Sequence, residues 1–168
     1  MPELLRFAKD TGLDPTVYQD CLEQGWQHLV GTTELQDYQA LAKACLDSAP
    51  DTEDFDHIFT SAALDAALSI HHLMMFLSDH SVDHVAETAG LARDTVHLFV
   101  GLKEAPRPYS LTNEQLNGHR LVQRELGRQR DDLIFLENLP NDVDQEMVVR
   151  LRERSRQPPE MLEISAPV

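Results

Sequence analysis

The segment Asp54 to Asp79, DFDHIFTSAALDAALSIHHLMMFLSD, constrains this chain more than any other. It is long enough for about six helical turns and contains neither Gly nor Pro. It is apolar almost all round, so as a helix it has to be enclosed by other helices. Its small residues Ala62, Ala63, Ala66 and Ala67 let neighbours approach closely, while Ile70, Leu73, Met74 and Leu77 fill space. The expected fold is therefore all-α: a compact bundle of about six to seven helices around a central buried helix spanning about 56–79.

The flanking sequence supplies the partners. Pro2 to Thr11 reads as a helix stopped by Gly12. Asp14 followed by Pro15 opens a second helix, with Val17, Cys21, Leu22, Trp26 and Leu29 on one face and Gly31 at its end. Thr33 and Gln36 have the spacing of a capping box and open a third, with Leu35, Tyr38, Leu41, Ala42 and Cys45 inward. Pro50 and the acidic stretch 51–56 form the loop before the central helix. Ser81 caps a stretch from Val82 to Lys103 in which Gly90 is a potential break. Asn113 to Asn138 is mostly helical, and Asp142 to about Arg156 forms a last, charged helix. One domain over 1–157 and a loosely ordered tail over 158–168, beginning at Pro158 and Pro159, complete the reading.

Charge narrows the function classes. The net charge of −15 opposes a phosphate backbone as partner, because nucleic-acid binding rests on clustered Lys and Arg. Residues 1–84 carry 15 acids against Arg6, Lys9 and Lys43, whereas 85–168 carry 14 acids and 11 bases, ten of them Arg. Arg120, Arg124 and Arg128 form a stripe at i+4 steps, and Arg150, Arg152, Arg154 and Arg156 follow. The plain account is ion-paired, solvated helices. The sharper one is a basic C-terminal element docked on an acidic N-terminal face, within the chain or across a dimer. No apolar run reaches membrane length, since Asp65, His71 and His72 interrupt the best one. No basic region followed by an apolar stretch marks a secretory leader at the start. Cys21 and Cys45 pack as small hydrophobes. A bridge between them requires their two helices to be neighbours.

Six of the eight histidines fall between positions 57 and 97. Asp54/His57 and Asp94/His97 are i, i+3 pairs. His80 and His84 are i, i+4, and Glu87 follows three residues after His84. Pairs at these spacings project from one helix face, which is how bundles assemble carboxylate–imidazole metal sites. The candidate metal ligands are His57, His84, Glu87, Asp94 and His97. His71 and His72 point about 100° apart and do not share one site. The plain account of all of them is solvated or hydrogen-bonded histidine.

Val85 to Val96, VAETAGLARDTV, has the outline of a helix-turn-helix, with Gly90 in the turn. Its second half offers Arg93, Asp94, Thr95 and His97, few groups for reading base edges. The same residues also fit one helix with Val82, Val85, Ala89, Ala92, Val96 and Phe99 on a face. No nucleophile motif or phosphate loop is present.

DFDHIFTSAALDAALSIHHLMMFLSD followed by SVDHVAETAGLARDTVHLFV resembles the core of the YjaG-like bacterial proteins, the domain of unknown function 416. TGLDPTVYQDCLEQGWQHL and QRDDLIFLENL fit the same pattern, so the resemblance spans roughly residues 5 to 155. It implies a helical bundle in a bacterial cytoplasm and no particular activity. It also implies a further helical segment ahead of the position of Met1, whose loss would leave part of the second or central helix exposed. The functional expectation is a non-enzymatic protein-interaction or oligomerising module without a cofactor. Its expected partner is a second copy or another protein, with no nucleic acid and no membrane. The alternatives are a metal- or small-ligand-binding bundle using the His57–His97 region, and a DNA-binding regulator around 82–100.

Overall fold

In the computed structural model, which describes residues 2–31, 37–55, 57–104, 111–140 and 144–156, eight helices follow one another and no strand occurs among the described residues. They are α1 (Pro2–Thr11), α2 (Thr16–Leu29), α3 (Tyr38–Asp47), α4 (Thr60–Asp79), α5 (Asp83–Glu104), α6 (Asn113–Gly118), α7 (Arg120–Glu137) and α8 (Gln145–Ser155). The boundaries follow local chemistry. Gly12 ends α1 at φ +80° and Gly31 follows α2 at φ +66°, conformations that favour glycine. The Asp14 carboxylate accepts from the Thr16 amide (3.0 Å) and hydroxyl (2.6 Å) at the start of α2. Asp37 caps α3 by accepting from the Ala40 amide at 3.0 Å. The capping box expected at Thr33 and Gln36 lies outside the described residues, as does the tail 158–168.

The central helix starts later than its apolar run suggests. Thr60 opens it, and the Thr60 hydroxyl donates to the carbonyls of Phe55 (3.1 Å) and His57 (2.8 Å). These bonds tie Phe55 and His57 to the first turn of α4, so His57 precedes the helix. At the far end His80 takes the left-handed conformation, φ 58°, and its amide closes on the Phe76 carbonyl. The mostly helical stretch 113–138 is two helices. The extended backbone of His119 (φ −68°, ψ 137°) separates α6 from α7, and its ring caps α7 at the Leu121 amide.

α4 sits in the middle, packed by α1, α2, α3 and α5. Ala63, Ala67, Ile70, Met74 and Leu77 of α4 close one core with Leu4, Phe7, Tyr18, Cys21, Ala42 and Cys45. Truncating the fully buried Phe7 or Met74 to Ala is expected to cost about 2–5 kcal/mol. The Tyr18 hydroxyl reaches the Ser48 carbonyl at 2.5 Å, tying α2 to the end of α3. Burial pushes its phenol pKa up, with Cys45 and Cys21 adding to the effect.

The remaining helices form an outer layer. α7 lies on α5, where Val122 is buried and the Gln129 side-chain amide donates to the Ala89 carbonyl at 3.0 Å. α8 bridges α2 and α7. Arg152 pairs with Glu23 and lies over Trp26, while Arg154 pairs with Asp132 at 2.8 Å and lies over Phe135. The basic C-terminal helix therefore docks on its own chain. No helix among the described residues is long and apolar enough to cross a membrane.

Candidate functional site

His72 and His84 meet at the corner between α4 and α5, a pairing that their spacing does not suggest. The His72 and His84 rings meet at Nδ1···Nδ1, 3.1 Å. The other nitrogen of His84, Nε2, lies 3.1 Å from the Asp79 carboxylate. One set of tautomers satisfies both bonds. His84 Nε2–H donates to Asp79, His84 Nδ1 accepts from His72 Nδ1–H, and His72 Nε2 keeps its lone pair. Asp79 also accepts the Ser81 amide at 2.8 Å. That bond, followed by the one from His84, holds the Asp79 carboxyl below its ordinary pKa. Desolvation lowers the His72 pKa, reinforced by His71 and His84, while Glu87 opposes the shift. The arrangement is a three-residue proton chain ending on a half-buried neutral imidazole.

The other expected ligands sit elsewhere. His57 lies beside Asp10 of α1 at 3.5 Å, and its Nδ1 accepts the Phe59 amide. Asp94 is shared between Arg93 at 2.9 Å and His97 at 3.7 Å, and the buried Nε2 of His97 has no hydrogen-bond partner. The five candidates thus occupy three separate places, and only Glu87, through its charge, acts on the same corner as His84. Among the described residues no three His, Cys, Asp or Glu side chains converge as a metal shell. His80 does not join His84, because its left-handed turn sends the ring against Phe76 (6.1 Å between centroids). Sequence spacing missed Asp79 and His72. They meet His84 across a helix corner, where helical periodicity no longer applies.

α5 runs unbroken through Gly90, where nothing lies within 4 Å of the position a Cβ would take. The turn of a helix-turn-helix does not form, and Arg93, its best base-reading group, is paired with Asp94. Neighbouring apolar residues and ordinary helix geometry outweigh the single Gly.

α7 presents a different kind of surface. Its buried stripe ends at Val122, yet Leu126 (39% exposed), Leu133 (58%), Ile134 (45%) and Leu136 (50%) face outward. Leu126 and Leu133 lie two turns apart on one line, and Ile134 and Leu136 flank that line on opposite sides. The charges on this helix are polarised. Arg120, Arg124, Arg128 and Arg130 accompany only Glu125 in its first part, while Asp131, Asp132 and Glu137 occupy its end without a base. That order opposes the helix dipole, which favours acids at the start and bases at the end.

Over residues 1–159 the sequence matches the family model described as "Protein of unknown function (DUF416)". The chain belongs to the DUF416 family. A crystal structure of a DUF416 family protein from Shewanella baltica OS155 superimposes with a TM-score of 0.78 at 22% identity, covering 91% of this chain and 79% of the other. At that identity the likeness shows the shared fold. No curated protein matches the chain. The DUF416 membership agrees with the resemblance carried by the central segment, and the family has no established function.

Proposed function

We propose that this chain is a non-enzymatic interaction module of the cytoplasm that pairs with a second copy of itself through α7. The observation that carries the reading is the exposed line of Leu126 and Leu133, flanked by Ile134 and Leu136, on a helix with polarised charge. A two-fold axis perpendicular to α7 places its two copies antiparallel. The arginine-rich start of each helix then lies against the acidic end of the other. Both unfavourable dipole arrangements are relieved together, and the leucines close between them. Arg128 and Asp132 are already paired within the chain at 2.8 Å. Arg130, Asp131 and Glu137 are the charges that pair across. The four Arg and four acids of α7 balance, so this is a neutral surface on a molecule of net charge −15, where two copies meet with least repulsion. Cys21 and Cys45, held as thiols in the core, fit a reducing compartment.

Light scattering on a size-exclusion column tests the reading. The wild type is expected at twice the chain mass. Leu133→Glu is expected at the single-chain mass with an unchanged helical circular-dichroism spectrum. A wild-type protein at single-chain mass at every concentration loaded contradicts self-pairing.

A further inference from the structure

α2 and α3 meet through sulfur. Cys21 Sγ and Cys45 Sγ are 3.3 Å apart, and neither residue has any solvent exposure. They are the two cysteines of the chain, separated by 24 positions. The Cys45 thiol donates to the Cys21 sulfur, and the Cys21 thiol faces the Leu41 carbonyl at 3.9 Å. Bonded sulfurs sit about 2.05 Å apart, so closure asks the pair to approach by little more than 1 Å. We propose that Cys21 and Cys45 are a hydroperoxide-sensitive dithiol, whose oxidation staples α2 to α3.

The hydrogen bond divides the roles. The bond from Cys45 lowers the Cys21 pKa, and the same bond raises that of Cys45. Cys21 is therefore the nucleophile and Cys45 the resolving thiol. The Cys21 thiolate attacks one oxygen of hydrogen peroxide. An S–O bond forms, the O–O bond breaks, and the departing hydroxide takes up the proton released by Cys21 to leave as water. The Cys45 sulfur then attacks the Cys21 sulfur. The S–S bond forms, the S–O bond breaks, and the second hydroxide leaves as water with the Cys45 proton. Two thiols are oxidised and one peroxide is reduced to two waters. Complete burial keeps a bulky disulfide from the pair, so the oxidant of this proposal is a small hydroperoxide. Burial also leaves the pair reduced until peroxide arrives. The staple fixes α2, the helix on which α8 docks through Glu23.

The test uses the reduced full-length chain treated with hydrogen peroxide, then denatured and alkylated. Intact mass is expected to show loss of two hydrogens, no alkylation and no link between chains, all reversed by dithiothreitol. The melting temperature is expected to rise by roughly 5–15 °C on oxidation. Cys45→Ser should stop at a sulfenic acid on Cys21, trapped by dimedone, with no such rise. The wild-type measurement decides the matter even where that variant fails to fold. Two alkylated thiols after peroxide treatment, a cross-link only between chains, or a lowered melting temperature would each overturn the proposal.

Discussion

Arg152 on α8 donates through both terminal guanidinium nitrogens to the two carboxylate oxygens of Glu23 on α2, and its guanidinium carbon lies 5.9 Å from the centre of the Trp26 ring. Arg152 lowers the Glu23 pKa, first through this bond and then through charge. The pair is the chief polar tie between the last helix and the core bundle. Both side chains keep partial solvent contact (33% and 44%), so the ion pair contributes at most about 1 kcal/mol, with a similar amount from the stacked ring. Arg152→Ala is therefore expected to cost about 1–2 kcal/mol in urea unfolding. Trp26 is the one tryptophan, so its emission should shift to the red in the folded variant as α8 loosens. Unchanged emission would mean that α8 stays seated without Arg152.

The His72–His84–Asp79 chain gives stability a pH dependence. Desolvation depresses the folded pKa of His72 below its ordinary value of 6.5. Below that value the unfolded chain binds a proton that the folded one resists. Stability is then fully present above about pH 6.5 and falls as the pH drops toward the folded pKa. His72→Gln should flatten this part of the stability profile, measured by urea unfolding at a series of pH values. An equally steep loss in the variant would assign the effect to other groups.

Gly90 lies within α5 with open space where its Cβ would be. Gly90→Ala is expected to raise stability by about 0.5–1 kcal/mol, because alanine lowers the entropy cost of the helix. A loss of stability would indicate the left-handed turn that a helix-turn-helix requires.

Asp65 on α4 is raised in pKa by burial, partly offset by the Thr95 hydroxyl, which donates to it at 2.8 Å from α5. This bond links the two longest helices. Thr95→Val leaves a half-buried carboxylate without that donor and should cost about 1–3 kcal/mol at neutral pH. Asp65→Asn in the same background should recover part of the loss, since it removes the desolvated charge. A double-mutant cycle with no coupling between positions 65 and 95 would contradict the link.

Much of the fold was legible because it rests on local signals. Gly12 and Gly31 mark their helix ends by their positive φ, and the small residues of α4 pack where expected. Contacts between helices were less legible. The pattern before Thr60 reads as helical, yet α4 begins at Thr60, whose hydroxyl bonds to the Phe55 and His57 carbonyls ahead of it. Asp79 finds His84 across a corner set by the left-handed His80, and Asp65 finds Thr95 thirty residues away. Neither pairing leaves a periodic trace. The arginine-rich end was readable as a docking element. Its choice between its own chain and a partner was not, because composition does not specify which acidic face lies within reach.

Sedimentation equilibrium over a concentration series, comparing wild type with Leu126→Glu/Leu133→Glu, tests most directly whether α7 is a self-pairing surface. The account predicts a reversible monomer–dimer equilibrium in the wild type and a monomer in the double variant, with both chains equally helical. A wild type that stays monomeric throughout, or a variant that dimerises as well as the wild type, would contradict it.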